Sequence, residues 1–191
     1  MYDLEKVSTQ LKSKLNPSRY RHSHGVMYTA ANLAFVHGGN VQEAMAAGLL
    51  HDCGKIGDFK TQFTLAKELG IEITKKDKEI GSLFHAKLGM VLAKRKYGIM
   101  DEAILEAIRY HATGRPNMSL LEKIIFVADF IEPWRAEGAW LKPLRKIAFQ
   151  DLEKAVVYGA QETIKYLEQN QQIIDEQTRE TLEFYKKENR T

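Results

Sequence analysis

His51 and Asp52, two side chains of the metal-binding kind, stand side by side at the end of the apolar run Ala44-Met45-Ala46-Ala47-Gly48-Leu49-Leu50, with a lysine at 55. Imidazole nitrogen and carboxylate oxygen suit iron, zinc, manganese or cobalt, and neighbours on one helical turn reach a common ion when that turn faces a cavity. Lys55 lies four residues after His51 and shares its face. A His-Asp pair beside Gly54 is also what a solvated helix end looks like. The pair alone decides nothing, and its weight depends on other donors in the chain.

Those donors recur at helical spacing. His24 falls in the first turn of a pattern made by Val26, Ala30, Leu33, Ala34 and His37; His85 shares a face with Leu88 and Leu92; His111 follows Ile104 and Ile108. Asp129 ends a run from Leu120 that is apolar on almost every side. A single histidine on an apolar face is more often a hydrogen-bonded core residue than a ligand. A buried carboxylate is harder to dismiss, because it is costly unless paired or metal-bound. His24, His51, Asp52, His85, His111 and Asp129 together exceed what one tetrahedral ion requires. They suffice for two ions bridged by Asp52, with positions left for water. Two ions about 3.5–4 Å apart activate water and neutralise phosphoryl oxygens, which makes phosphoester or phosphoanhydride hydrolysis the natural chemistry. His22 reads as a surface or supporting residue, His37 as a helix-end residue and Cys53 as packing.

The elements that must position these groups are helices. Spacing predicts one over 3–15 ended by Asn16-Pro17, a second of about four turns closing at Gly38-Gly39, and a third capped by Asn40 and leading into His51. A weaker helical pattern covers 60–69, and the charged run 75–79 reads as solvated surface. The four residues 71–74 alternate too briefly for a strand. Helices follow over 82–96, from an Asp101 cap to His111, from a Ser119/Glu122 capping box to Pro133, near 140–149, over 151–169 and over 175–188, with 134–138 as a loop. The fold class predicted is all-α, a bundle of eight to ten helices.

The chain's 191 residues suit one domain, spanning 1–191 with a core over 19–170 and the C-terminal helix 175–188. A formal charge of +3, evenly spread, argues against nucleic-acid and membrane partners and is compatible with a small anionic substrate. The single cysteine, Cys53, leaves no intrachain disulfide and no thiolate-rich zinc site. The N-terminal stretch has neither a basic nor an apolar signal region, so a cytoplasmic location is expected. Tyr158, Tyr166, Phe184 and Tyr185 form either a surface stripe for a homodimer or the docking face of a tail helix.

The segments Arg21-His22-Ser23-His24-Gly25-Val26, Ala47 to Lys55, Ala107 to Gly114 and Ala128 to Arg135 resemble the HD-domain phosphohydrolase superfamily, with His24, His51-Asp52 and Asp129 matching its H…HD…D signature. His85 and His111 are similar to the extra ligands of its dinuclear subgroup. The closer resemblance is to the bacterial HD-domain hydrolases that split diadenosine tetraphosphate symmetrically into two ADP. It implies an HD-type helical fold and two divalent or mixed-valence transition metal ions, iron foremost, with manganese, cobalt or zinc as alternatives. One ion would be held by His24, His51, Asp52 and Asp129, the other by Asp52, His85 and His111. Ala112 and Trp134 stand where that pattern has threonine and glycine. On this reading Asp52 and Lys55 are catalytic. Lys55, Arg109 and Arg135 bind phosphates, Arg115 is a further cation, and Thr113 and Gly114 offer a hydroxyl and a close backbone approach. A mononucleotide nucleotidase, a cyclic-nucleotide phosphodiesterase and a noncatalytic nucleotide-binding module are the alternatives.

Overall fold

The computed structural model describes residues 2–135 and 138–188. Among them are eleven α-helices and one short 3-10 turn, with no strand: α1 Leu4–Lys12, α2 Pro17–His37, α3 Val41–Leu50, α4 Phe59–Glu68, α5 Lys75–Glu79, α6 Phe84–Tyr97, α7 Glu102–Tyr110, α8 Leu120–Ile131, α9 Leu141–Ala148, α10 Leu152–Gln169 and α11 Glu176–Glu188. The all-α reading therefore holds, with a higher helix number than eight to ten. The charged run 75–79, read as solvated surface, is a short helix closed by a Thr74/Asp77 capping box and tied down by Lys87 on Asp77 and Lys76 on Asp175. Among the described residues no helix is long and apolar enough to cross a membrane.

The largest departure from the sequence reading lies in α2. Asn16-Pro17, taken as the end of α1, is the start of α2: the Asn16 side chain accepts from the Arg19 N–H, and Pro17 occupies the first turn, where its missing donor costs nothing. The helix therefore runs through His22 and His24 rather than beginning near them. Asn40, Asp101 and Ser119 cap α3, α7 and α8 as their types predict, and Glu122 closes the capping box on Ser119.

Apolar α8 is the central element, packed against α2, α3, α7, α9 and α10. Two close approaches set the site. At Gly48 an added Cβ would lie 2.9 Å from the Met27 Cα, so α2 and α3 cross with their backbones in contact. At Gly54 an added Cβ would land on the His85 carbonyl oxygen, which presses the turn after Asp52 directly onto the start of α6. Pro133 ends α8 and holds Glu132 extended, at ψ 151°. In the segment 134–138 read as a loop, Ala136 and Glu137 lie outside the described residues.

Candidate metal centre

Five helices bring their ends or faces to one point. α2 contributes His22, the C-terminus of α3 His51 and Asp52, the start of α6 His85, the C-terminus of α7 His111, and the last turn of α8 Asp129. Three imidazoles are locked the same way. Nδ1–H of His51 donates to the Gly48 carbonyl, that of His85 to Ser82 and that of His111 to Ile108, each at 2.7 Å and each three residues back. His22 instead donates Nδ1–H to the Glu132 carboxylate at 3.1 Å. With Nδ1–H so engaged, the Nε2 atoms face inward. The His22 and His51 Nε2 atoms stand 3.2 Å apart, and those of His85 and His111 3.1 Å apart.

The Asp52 carboxylate lies between these pairs. Its Oδ2 is 3.4 Å from His51 Nε2, 3.7 Å from His22 Nε2 and 2.6 Å from Arg19. Its Oδ1 is 3.3 Å from His85 Nε2, 3.5 Å from His111 Nε2 and 3.1 Å from the Lys55 ammonium. Asp129 Oδ1 closes the first side, 3.0 Å from His22 and 3.8 Å from His51. Burial alone would raise the Asp52 carboxyl, but His51, His111 and Lys55 drawn around it hold it well below the usual carboxylate range. Desolvation acts likewise on Asp129 and is outweighed by His22, His51 and Arg135. Burial, with the Lys55 ammonium, pushes His85 well below the usual imidazole value, so its ring is neutral and its Nε2 lone pair available.

Four Nε2 atoms and two carboxylates thus converge, with Arg19, Lys55 and Arg135 as the cations at their edge. Asp52 Oδ1 is buried and accepts no hydrogen bond, its one cationic neighbour being the Lys55 ammonium at 3.1 Å, so it keeps lone-pair capacity for a metal ion. His22, His51 and Asp129 form one group able to hold a metal ion, and His51, Asp52 and His111 another. The donor set, nitrogen and oxygen with each imidazole fixed by its other nitrogen, fits a divalent transition metal.

A groove of about 760 Å³ opens above the centre. Lys55, His85, His111, Asp129 and Arg135 line it where it meets the centre, and the α10 residues from Glu162 to Gln169, Tyr166 among them, line it with Phe130 and Trp140. Arg135 donates to both the carbonyl and the carboxylate of Asp129 at 3.0 Å.

The HD-domain family model matches residues 19–134, which carry His22, His51, Asp52, His85, His111 and Asp129. The chain belongs to the HD-domain family. It is 40% identical over 166 residues to the symmetrical bis(5'-nucleosyl)-tetraphosphatase of Halalkalibacterium halodurans, covering 86% of this chain and 87% of that one. It is 37% identical over 172 residues to the enzyme of the same name from Bacillus subtilis, covering 89% and 90%. Among solved structures it is similar to a Clostridium acetobutylicum protein described as a predicted HD superfamily hydrolase involved in NAD metabolism, with 38% identity, a TM-score of 0.91, and 98% and 99% of the two chains covered.

In this HD-domain chain the histidine on α2 at the centre is His22, not His24. Two residues turn a helix by about 200°, so the two rings face opposite ways. His24 Nε2 pairs with Ser8 Oγ at 2.9 Å and its ring stacks edge-on with Tyr20. His51, Asp52, His85, His111 and Asp129 converge. Of the phosphate candidates, Lys55 and Arg135 line the groove and Arg109, Thr113, Gly114 and Arg115 do not. Arg115 is forked onto buried Glu122, Arg109 lies against the Tyr110 ring, and Gly114, at φ +65°, packs on Thr181 of α11 while Thr113 gives its carbonyl to Thr181. Sequence reasoning also missed Arg19 and Glu132. Arg19 lies three residues before His22 and so shares its face; the Glu132-Pro133 step was the available signal for a carboxylate turned back on α2.

Proposed function

We propose that the chain is a metal-dependent hydrolase that splits dinucleoside tetraphosphates, diadenosine tetraphosphate first, symmetrically into two nucleoside diphosphates. The observation that carries this is the two-sided Asp52 carboxylate between two imidazole pairs, whose neighbours His85, His111 and Asp129 line a groove together with Lys55 and Arg135. The names of the two bacterial relatives support it. Asp52 would serve both ions, with His22, His51 and Asp129 on one side and His85 and His111 on the other. Iron is the metal proposed, with manganese, cobalt and zinc tested beside it. When bound, the ions supply activation of water and neutralisation of phosphoryl charge.

The chain's own residues do the rest. Lys55 sits at the second imidazole pair and presents an ammonium to the phosphoryl oxygens of the chain in the groove. Arg135, anchored on Asp129, directs its remaining N–H groups outward to a neighbouring phosphate. Arg19, on Oδ2 of Asp52, holds that carboxylate ionised and oriented. Glu132 fixes the tautomer of His22.

Metal-analysed protein incubated with diadenosine tetraphosphate should give ADP alone. ATP with AMP would overturn symmetry, and nucleoside with phosphate from mononucleotides would make the chain a nucleotidase. Asp52→Ala should abolish turnover and most bound metal while circular dichroism keeps its helical signal.

A further inference from the structure

We infer that the α10 side of the groove is a nucleobase platform built on Tyr166 and Trp140. The inference deepens the hydrolase reading and rests on it. The lining of the groove divides by chemistry. Where it meets the centre it holds imidazoles, carboxylates, Lys55 and Arg135; the rest of its lining carries the rings of Phe130, Trp140 and Tyr166 beside Leu167, with Glu162, Thr163, Lys165 and Gln169 among them. Tyr166 is 59% exposed there, a large ring left in solvent on a helix whose other side is buried against α8, α9 and α11. Trp140 faces the same groove and is held edge-on by Phe130, with ring centroids 6.2 Å apart at 85°. An anionic chain that ends in a flat ring with apolar faces matches this division. Its phosphates lie at the cations and its base lies on the aromatic wall.

The rings of this wall offer the face of the base a surface to stack on. The Thr163 hydroxyl, which also lines the groove, already donates to the Gly159 carbonyl at 2.9 Å. The platform is carried on an 18-residue helix, so it is formed before the nucleotide arrives.

The test compares ADP with inorganic pyrophosphate, which carries the same diphosphate and no base, on the metal-loaded full chain by calorimetry. Tyr166→Ala should weaken ADP on the order of tenfold, the loss of one stacked base, and leave pyrophosphate unchanged. Tyr166→Phe should bind ADP as the wild type does, because the ring and not its hydroxyl acts. An unchanged ADP affinity in Tyr166→Ala overturns the platform. So does an equal loss in Tyr166→Phe, or a parallel loss of pyrophosphate. The same data separate the two readings. A wild type that fails to cleave the tetraphosphate yet binds ADP through Tyr166 overturns the reaction and keeps the platform; a wild type that cleaves it while Tyr166→Ala binds ADP normally does the reverse.

Discussion

His22 and His24 illustrate how much a single residue's place on a helix decides. Both lie on α2, yet one ring meets His51 and Asp129 and the other meets Ser8 and Tyr20. His22→Ala should remove about one of two bound metals and lower turnover by orders of magnitude. His24→Ala should leave metal content and turnover within a few-fold of wild type and cost about 1 kcal/mol of stability through the lost Ser8 hydrogen bond. Elemental analysis beside a turnover assay of the two variants decides the assignment, and equal metal loss in both would sink it. The residue types were legible in the sequence, since a helical pattern of histidines ending in a buried carboxylate points to metal. Which histidine faces inward was not. That depended on where α2 begins, and the Asn16-Pro17 step was read as the end of one helix instead of the start of the next.

At the scale of elements, α11 acts as a clamp on the turn that follows His111. Tyr185 is 2% exposed and accepts the Met118 N–H at 2.7 Å, while the Thr181 hydroxyl reaches the Thr113 carbonyl. The segment expected to touch phosphate is thus occupied in holding the tail helix, and Tyr185, which the sequence left between a partner-facing stripe and a docking face, is core. Spacing could not separate those two roles, because an aromatic residue on an amphipathic tail helix looks the same whether the tail docks or not. Burial pushes the Tyr185 phenol up to about 12. A folded-state value raised above the ordinary 10 means the contribution is fully present below pH 10 and is lost as pH rises through 12. Ultraviolet titration should therefore show Tyr185 ionising late beside Tyr97, whose phenol burial also pushes up to about 12; Tyr185→Phe should remove one late-ionising tyrosine and leave the other, and the stability gap between wild type and variant should narrow above pH 10. An early, fully reversible phenol titration in the wild type would contradict the docked tail.

For the whole molecule, the helical class and the single domain follow from composition and periodicity, because an amphipathic stripe must find a partner. Convergence does not. Donors separated by up to about a hundred positions meet only because glycines at 48 and 54 let backbones touch, and no spacing rule reports a contact between helices. The folded chain holds inward-facing acceptors together before any ion neutralises them, so metal binding and folding are coupled. Removing metal with a chelator should lower the thermal midpoint. At a hundredfold excess of metal over its dissociation constant the linkage is about 2.7 kcal/mol, or about 5–10 °C for a chain of this size. A midpoint unmoved by chelation and by metal return would mean that the cluster does not bind metal in the folded state. The anchoring of the imidazoles carries one last consequence, for heredity rather than energy. His51, His85 and His111 are each held by a main-chain carbonyl, an acceptor that no codon change can delete. His22 alone depends on a side chain, Glu132, which fits only because residue 25 has no Cβ. Drift can therefore loosen the His22 ring through two codons besides its own, those of Gly25 and Glu132, and descendants of this chain that vary their metal should vary it there.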